Sequence, residues 1–294
     1  MSEPIAKHEL FEYEEKEPFL VRIPRSVPPG MQEQADAGLL MNHWHEELEV
    51  AYILNGRSLH YIDGVCVEGV PGRLVVTNSE SAHNIIQDNS EVTEPCMGAV
   101  VVLIHKRFLQ EHFPQYESLY FTNDKRQARP EIREIILQLA AYAERGVHKS
   151  YDALYGKGLI LQLLYYMCEE GTASREELNI NEQKNIERLK GVLTYIENHY
   201  TERLTQAEVA DRFYFSKEYF SRYFKKCMGM TFTEYLIRYR LQKARHGLLE
   251  SDRRVTDIAL ENGFSDDRRF INSFKQYYGT TPLQYRKQEK NRNK

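Results

Sequence analysis

The stretches 215-FSKEYFSRYFKKCMGMTFTEY-235 and 264-FSDDRRFINSFKQYYGTTPLQY-285 are two copies of one pattern in the C-terminal third of the chain. Six positions of the first copy recur fifty residues later, so that Phe220, Phe224, Lys225, Gly229, Thr231 and Tyr235 match Phe270, Phe274, Lys275, Gly279, Thr281 and Tyr285. The upstream pairs Val209-Ala210 and Phe215-Ser216 recur at a distance of forty-nine, because the second copy carries one inserted residue after its serine. Such an internal repeat predicts two successive copies of one structural unit.

Each copy predicts a helix, a short turn and a second helix. Thr205 and Thr256 are placed to cap the first helix of their copies, and Ser216 and Ser265 are placed to cap the second. Gly263 supplies the turn of the second copy. Both copies have an alanine in the middle of the first helix, as two helices that cross at a tight angle require. The predicted unit is a helix-turn-helix, present twice.

A predicted helix from about residue 233 to 249 joins the two units. Its apolar residues share one face and are Ile237, Leu241, Ala244 and Leu248. A helix of about seventeen residues spans roughly 25 Å. This length suits a spacer that places two second helices in successive major grooves of DNA, about 34 Å apart.

The repeat lies in the basic part of an otherwise acidic chain. From Lys184 to the end there are 23 Lys and Arg against 14 Asp and Glu, a net charge of +9. The first 183 residues carry 16 basic and 29 acidic groups, a net charge of −13. Such asymmetry is typical of a chain whose basic part meets a polyanion, although a solvated basic helix surface would give the same count.

The region from about Ile186 to Arg286 resembles the DNA-binding domain of the AraC/XylS family of bacterial transcription regulators. The stretch 263-GFSDDRRFINSFKQYYGTTPLQYR-286 is similar to the signature of that family. The resemblance implies that the exposed faces of the helices starting at Ser216 and Ser265 read bases. The matching positions are Glu218, Ser221 and Arg222 in the first unit and Arg268 and Asn272 in the second.

The residue types on these helices agree with such a role. Arg fits the edge of guanine, Asn fits adenine, and Glu can accept from cytosine. Better placed for phosphates, which give affinity without sequence, are Lys217, Lys225, Lys226, Arg269 and Lys275. The alternative for any single residue is a solvated helix charge, and the four phenylalanines of the repeat favour the core.

The N-terminal part predicts a β-barrel or sandwich followed by two helices. Short apolar strands fall at Leu48–Leu54, Ser58–Ile62, Val65–Glu68, Leu74–Thr77, His83–Ile86 and Met97–Ile104. Asp63-Gly64 is a two-residue hairpin signal. Helical periodicity then predicts helices at about 131–145 and 151–169. In the second of these Leu154, Leu161, Leu164 and Met167 recur, either for internal packing or as a dimer seam.

These elements give an α+β multidomain chain with three segments. Residues 1–170 form a cupin-like effector-sensing and dimerisation domain, and residues 171–183 are a polar linker. Residues 184–294 form an all-α tandem helix-turn-helix domain.

A polar cluster in the predicted barrel is the candidate ligand site. His43, His45 and Glu49 share one face of a strand, because side chains alternate with period two. Their spacing up to Gly56 resembles the first cupin motif, and a degenerate second motif would bring His83 to the same site. Three imidazoles and a carboxylate could hold a divalent transition metal.

We expect no metal or other cofactor at this cluster, and favour a polar effector pocket, with a sugar as the guess for the ligand. Three observations restrain the metal hypothesis. Asn78 and Glu80 stand where the cupin pattern has Pro and Gly, and sensor domains of AraC-like regulators commonly bind an organic effector. The opposite strand face (Trp44, Leu48, Val50, Tyr52, Leu54) is more apolar, so surface or structural histidines stay an alternative.

The sequence thus predicts a ligand-responsive transcription factor, not an enzyme. Expected partners are double-stranded DNA, a small effector, a second copy of the chain and, for an activator, RNA polymerase. No apolar run reaches the length of a membrane span, and neither a signal peptide nor a metal or redox spacing of the four cysteines is present, so the expected location is the cytoplasm. The alternatives are a metal-dependent cupin enzyme fused to a basic interaction domain, and a constitutive DNA-binding dimer.

Overall fold

The computed structural model describes residues 18–27, 45–124, 127–146, 149, 151–174 and 180–292. These residues form two compact units, one up to Glu187 and one from Arg188 onward. The N-terminal unit mixes strands and helices, and the C-terminal unit is helical. None of the described helices has the length and apolar character needed to cross a membrane.

The N-terminal unit is built from short strands followed by helices. The strands are β1 (Phe19–Arg22), β2 (Arg25–Ser26), β3 (Leu48–Ile53), β4 (Arg57–Ile62), β5 (Val65–Gly69), β6 (Leu74–Thr77), β7 (His83–Asp88), β8 (Cys96–Met97), β9 (Ala99–Ile104), β10 (Leu119–Phe121) and β11 (Thr172–Ser174). The helices are α1 (Lys106–His112), a 3-10 turn at Pro114–Ser118, α2 (Pro130–Arg145) and α3 (Asp152–Glu170). The predicted strands are confirmed to within two residues. Asp63 and Gly64 form the predicted hairpin turn with φ of 48° and 85°.

Two antiparallel sheets face each other in this unit. The larger has the strand order β1-β9-β3-β6 and the smaller the order β5-β4-β7, with β2-β8 and β10-β11 as separate short pairs. The space between the two sheets is filled by Ala51, Ile53 and Val101 from the larger sheet and by Ile62 and Val67 from the smaller one. Among the described strands no ladder joins the two sheets. The strands therefore form an open arrangement where the sequence predicts a closed barrel, since alternation alone does not distinguish the two.

Strand β3 is buried on both faces. Leu48, Val50 and Tyr52 pack in a core shared with α2 and α3, while Ala51 and Ile53 face the smaller sheet. A strand covered on both sides reads as a nearly continuous apolar run. Glu49 has the parity of Ala51, and this parity puts it on the face toward the smaller sheet.

The helices α2 and α3 lie close to their predicted bounds, but α3 has two different apolar faces. Leu164 and Met167 are buried in the core, whereas Leu154 is 71% exposed and Leu161 is 40% exposed. The predicted linker 171–183 also differs from the structure, since it includes β11 and the first residues of the next helix. The sequence analysis missed β11 because its residues are polar and show no strand pattern. So short a strand is formed by pairing with another strand, here β10.

The C-terminal unit contains the predicted repeat. Its helices are α4 (Ile180–His199, which begins before the unit boundary), α5 (Gln206–Arg212), α6 (Lys217–Met228), α7 (Phe232–Glu250), α8 (Val255–Glu261), α9 (Asp267–Tyr278) and α10 (Pro282–Arg292). Helices α6 and α9 both have twelve residues and end at Gly229 and Gly279, which have φ of 67° and 71°. The prediction that the phenylalanines of the repeat are core residues is confirmed, because Phe220, Phe224, Phe270 and Phe274 have no exposed surface.

The predicted helix caps are confirmed in the first copy and wrong in the second. Thr205 caps α5 in a capping box with Glu208, and Ser216 caps α6. In the second copy α8 follows Arg254 without a side-chain cap, and Asp266 caps α9 in place of Ser265. The inserted residue lies after Ser265, so Asp266 is the residue fifty positions after Ser216. Likewise Arg254, forty-nine positions after Thr205, precedes α8, and Thr256 lies inside that helix.

Candidate functional site

The outward face of α6 presents the polar residues that the sequence assigns to DNA. Glu218, Ser221, Arg222 and Lys225 are exposed and share this face at spacings of three and four. Ser216 and Lys217 are exposed at the start of the helix, as is Lys226 near its end. The opposite face is buried, so α6 packs through its aromatic side and offers its charged side to solvent.

Helix α9 has the same construction with different side chains. Arg268, Asn272 and Lys275 are exposed at spacings of four and three, and Arg269 is exposed beside them. At equivalent positions, fifty residues apart, α9 has Arg268 for Glu218 and Asn272 for Arg222. The two helices therefore carry related basic surfaces with different hydrogen-bonding groups.

The turns between the paired helices use the same backbone conformation. Tyr214 and Gly263 are forty-nine residues apart and have φ of 58° and 80°. Tyr214 is 87% exposed. At Gly263 a Cβ would lie 2.7 Å from the carbonyl oxygen of Tyr200 and 2.9 Å from that of Thr201. The second turn thus packs closely against the chain that follows α4, and glycine is required there for space as well as for φ.

The second candidate site is a buried polar cluster in the N-terminal unit, formed by His45, Glu49 and His83. The Nε2 atom of His45 lies 3.3 Å from Oε2 of Glu49, and Nε2 of His83 lies 3.8 Å from the same oxygen. The rings of His45 and His83 meet edge to face, with centroids 5.0 Å apart. All three residues are at most 5% exposed. The structure brings these three predicted residues together, while the predicted His43 lies outside the described residues.

Backbone carbonyls fix the orientation of both imidazoles. Nδ1 of His45 lies 3.2 Å from the carbonyl oxygen of Glu47, and Nδ1 of His83 lies 3.0 Å from that of Ser81. Since a carbonyl only accepts, each Nδ1 carries a proton and donates it, and each Nε2 is turned toward Glu49. This is the arrangement that orients histidines at metal sites, where the outer nitrogen donates to a carbonyl or carboxylate.

Burial and the carboxylate of Glu49 act in opposite directions on the pKa values of the two histidines. Burial alone would lower the pKa of His45, but the hydrogen bond and negative charge of Glu49 outweigh burial, and the pKa lies above its ordinary value. Burial lowers the pKa of His83 to about 4, against a smaller opposing effect of Glu49. Glu49 therefore favours the protonated form of His45, while burial favours the neutral form of His83.

His60 is a member of this region that the sequence analysis missed. It lies on β4, is 2% exposed, and its Nε2 lies 2.9 Å from Oγ of Ser58. Burial lowers the pKa of His60 to about 4, and the negative charge of Glu49 opposes that effect. The signal was present in the alternation of β4, where Ser58 and His60 share the parity of the core residue Ile62.

The cluster fits a divalent cation as well as a polar ligand. One ligand atom from each of His45, Glu49 and His83 can be chosen so that all three atoms lie within 4.8 Å of one another. Two imidazole nitrogens and a carboxylate oxygen are suitable donors for zinc, nickel or iron. A metal would need both Nε2 atoms and the carboxylate free of protons, so metal binding would weaken at low pH.

Comparison with known proteins supports the assignment of the C-terminal unit. A family described as a helix-turn-helix domain matches residues 209–288. The chain is 26% identical over 262 residues to the uncharacterized HTH-type transcriptional regulator YdeC of Bacillus subtilis, covering 85% of this chain and 87% of that protein. It is 24% identical over 271 residues to the HTH-type transcriptional activator RhaS of Citrobacter koseri, covering 90% and 92%. The crystal structure of the C-terminal domain of the response regulator yesN from Fusobacterium nucleatum is 37% identical, with 35% of this chain and 98% of that domain covered and a TM-score of 0.33.

The C-terminal unit is a basic helical domain with two helix-turn-helix units, and the second helix of each unit has an outward polar face. These features define a sequence-specific DNA-binding transcription regulator. The relatives extend this likeness over most of the chain, including the N-terminal unit. The domain and these relatives agree with the resemblance of the chain to the AraC/XylS family of transcription regulators.

Proposed function

We propose that the regulator reads an asymmetric DNA site with α6 and α9. The observation that carries this proposal is the pairing of two equal helices with outward polar faces that differ at equivalent positions. Glu218, Ser221 and Arg222 would meet bases in one major groove, and Arg268 and Asn272 would meet bases in the next. Since its target is DNA, the protein would act in the cytoplasm.

The experiment compares an arginine assigned to bases with a lysine assigned to phosphates. The DNA site is first found by selection from random duplexes with the full-length protein, and variants are then titrated on this site and on single-base changes of it. Arg268→Ala should weaken binding by about 1–3 kcal/mol and relax the preference at one base pair. Lys225→Ala should weaken all sequences alike and reduce the salt dependence. Unchanged selectivity in Arg268→Ala would show that α9 does not read bases through this residue.

The proposal assigns effector sensing to the N-terminal unit, whose facing sheets serve as a cupin-like domain. The support is energetic, because buried polar groups cost free energy unless they are paired, and an ordinary core would be apolar at these positions. Glu49, His60 and His83 lie on strands of the two facing sheets and His45 lies just before β3, and all four are buried. A small polar effector, with a sugar as the first class to test, would exchange hydrogen bonds with these groups.

The effector proposal is tested with the double variant His45→Ala, Glu49→Ala. Sugars are screened by thermal shift on the purified protein, and each hit is tested for its effect on the affinity for the selected DNA. The double variant should lose the response while keeping ligand-free DNA binding, since it removes both partners of one pair together. The control is Glu111→Ala, which removes an exposed carboxylate from α1 of the same unit. A double variant that still responds would place the effector elsewhere.

A divalent metal is the second candidate ligand, supported by the convergence of two Nε2 atoms on one carboxylate oxygen. Elemental analysis of the purified protein and titration with zinc, nickel and manganese separate the two candidates. An organic effector should act equally before and after exhaustive chelation. Stoichiometric metal, with the response lost on chelation, would favour the metal and would also reopen the hypothesis of a cupin enzyme.

We also propose that the protein forms a homodimer through the exposed face of α3. Tyr151, Leu154, Leu161 and Tyr165 are 58%, 71%, 40% and 60% exposed, and together with Gly158 they recur at spacings of three and four. This is the spacing of a coiled-coil seam. Gly158 lies near the middle of the seam, and an added Cβ there would meet no other atom within 4 Å. An antiparallel pair of α3 helices would place Leu154 of each copy against Leu161 of the other, as a two-fold interface requires.

The dimer is tested by light scattering on the full-length protein, whose monomer mass is 34.7 kDa. Leu161→Glu should convert the dimer to a monomer. Leu283→Glu is the matched control, because Leu283 is 66% exposed on α10 of the C-terminal unit. A monomeric wild type, or an equal effect of both variants, would contradict this interface.

RhaS is named a transcriptional activator, and an activator acts on RNA polymerase. The proposal therefore includes RNA polymerase as a partner, and transcription in vitro from a promoter with the selected site is the measurement. Repression of that promoter would remove the polymerase from the proposed partners.

A further inference from the structure

The two helix-turn-helix units meet at a small junction around Arg240. Arg240, on α7, donates from Nε to the carbonyl oxygen of Tyr200 at 2.7 Å and from an Nη to that of Glu202 at 2.6 Å. Tyr200 and Glu202 follow α4 and lead into the first unit. The turn of the second unit reaches the same place, because a Cβ on Gly263 would lie 2.7 Å from the Tyr200 oxygen and 2.9 Å from Nε of Arg240. These residues are named here the Arg240 junction.

Outside this junction, each helix-turn-helix unit packs on a different part of α7. Phe220 and Phe224 of the first unit pack on the beginning of α7, at Phe232 and Tyr235. The second unit packs on the later part of α7, at Leu241 and Leu248. Beside the junction lies a groove of about 530 Å³, with residues 201–205 on one wall and Leu260, Ser265 and Arg269 on the other. The groove separates these two segments, and the contacts of Arg240 and Gly263 lie beside it.

We infer that Arg240 is a positioning residue that sets the spacing between the two reading helices on DNA. Its planar guanidinium holds two carbonyls of the first unit at once, and the Gly263 turn of the second unit closes against the same atoms. The junction thereby ties the start of the first unit to the turn that precedes α9. This inference rests on the proposed reading of DNA by both α6 and α9.

A rigid spacing has a measurable consequence. One extra base pair between the two half-sites rotates one of them by about 34° and moves it by about 3.4 Å relative to the other. A protein whose units are locked loses one set of contacts on such DNA. A protein whose units can turn about α7 keeps both sets, at the cost of weaker binding to the original site because its helices are less preorganised.

The experiment uses full-length protein and three versions of the selected DNA site. Footprinting first defines the two protected halves of the site. The spacing between these halves is then left unchanged, lengthened by one base pair or shortened by one base pair. Wild type should bind the altered sites at least about tenfold more weakly than the original. Arg240→Gln should bind the original site about tenfold more weakly than wild type and should distinguish the three sites by less than about threefold.

The control is Arg286→Gln, because Arg286 also donates from Nε to a backbone carbonyl, that of Leu248, but within the second unit. This variant should keep the wild-type ratio between the sites. Circular dichroism verifies folding, and if Arg240→Gln is unfolded the test is made with Arg240→Lys, whose single ammonium cannot reproduce the two-carbonyl fork. Full retention of the spacing ratio in the tested Arg240 variant, or equal relaxation in Arg286→Gln, would overturn the inference.

A wild-type protein that tolerates the extra base pair would also overturn it. That result is separable from failure of the proposed DNA reading. In the latter case Arg268→Ala would leave base preference unchanged on the original site, without any change of spacing.

Discussion

Replacing Gly263 with alanine should destabilise the second helix-turn-helix unit far more than any exchange at Tyr214 affects the first. An L-residue in the left-handed region costs about 1–2 kcal/mol. Alanine also lowers the conformational entropy of the unfolded chain relative to glycine, which offsets about 0.4–1 kcal/mol of this cost. The new Cβ would also lie 2.7 Å and 2.9 Å from two carbonyl oxygens, so the turn must move. We expect a total loss of about 2–3 kcal/mol, as is usual when alanine replaces a glycine that native contacts require.

The equivalent residue of the first unit provides the matched comparison. Tyr214 already holds φ of 58° with its side chain in solvent, so Tyr214→Gly relieves strain but makes the unfolded chain more flexible. These effects nearly cancel, and we expect a change within about 0.5 kcal/mol.

Hydrogen exchange followed by mass spectrometry on the full-length protein measures both variants. Peptides from α9 of Gly263→Ala should exchange about 30-fold faster for a loss of 2 kcal/mol. Peptides from α6 of Tyr214→Gly should exchange at nearly the wild-type rate. The reasoning is refuted if α9 keeps its protection in Gly263→Ala, or if Tyr214→Gly costs as much.

Two further predictions address the units separately. Residues 184–294 expressed alone should fold and should bind the selected DNA more weakly than the full chain, because the fragment lacks the avidity of a dimer. Calorimetry measures the folding of the fragment, and titration measures its affinity for DNA. An unfolded fragment, or a fragment with the affinity of the full chain, would contradict the prediction. The N-terminal unit should lose stability as the pH falls from about 6.5 toward 4, because the pKa values of His60 and His83 are about 4 in the folded protein against 6.5 as the ordinary value. In that interval the unfolded chain binds more protons than the folded chain, so stability falls as the pH falls. Hydrogen exchange of β4 and β7 at several pH values measures the loss. Exchange that stays constant after correction for its intrinsic pH dependence would contradict the prediction.

The sequence predicts the helical repeat well because its pattern is local. Helix caps, buried phenylalanines and the glycines that end helices each determine structure within a few residues. Because the pattern occurs twice, each copy supports the interpretation of the other. The errors at Thr256 and Ser265 came from choosing cap residues by type. The repeat spacing itself indicates Arg254 and Asp266, and the structure has its helix starts there.

The buried polar cluster could be predicted only in part, because it depends on what covers a strand. The apolar face of β3 suggested that the histidines and Glu49 lie in solvent, but α2 and α3 cover that face while the smaller sheet covers the other. This double cover is a tertiary fact that the period of one strand does not contain. The angle between the two helix-turn-helix units is likewise invisible in the sequence, since it depends on contacts such as those of Arg240 with residues about forty positions away.

The asymmetry of the reading helices determines what a dimer can add. One chain already carries two different polar surfaces, with Glu218 and Arg222 on α6 where α9 has Arg268 and Asn272. If both helices read bases as proposed, a single copy would define a base preference and a direction along the DNA, without the two-fold symmetry that a single recognition helix per chain would need. Pairing through α3 would raise the effective concentration of the second DNA-binding unit without changing which bases either reads. The fragment 184–294 should accordingly lose affinity while keeping the base preference of the full chain. A ligand that acts on the N-terminal unit should then change occupancy of the DNA site and leave its sequence preference unaltered.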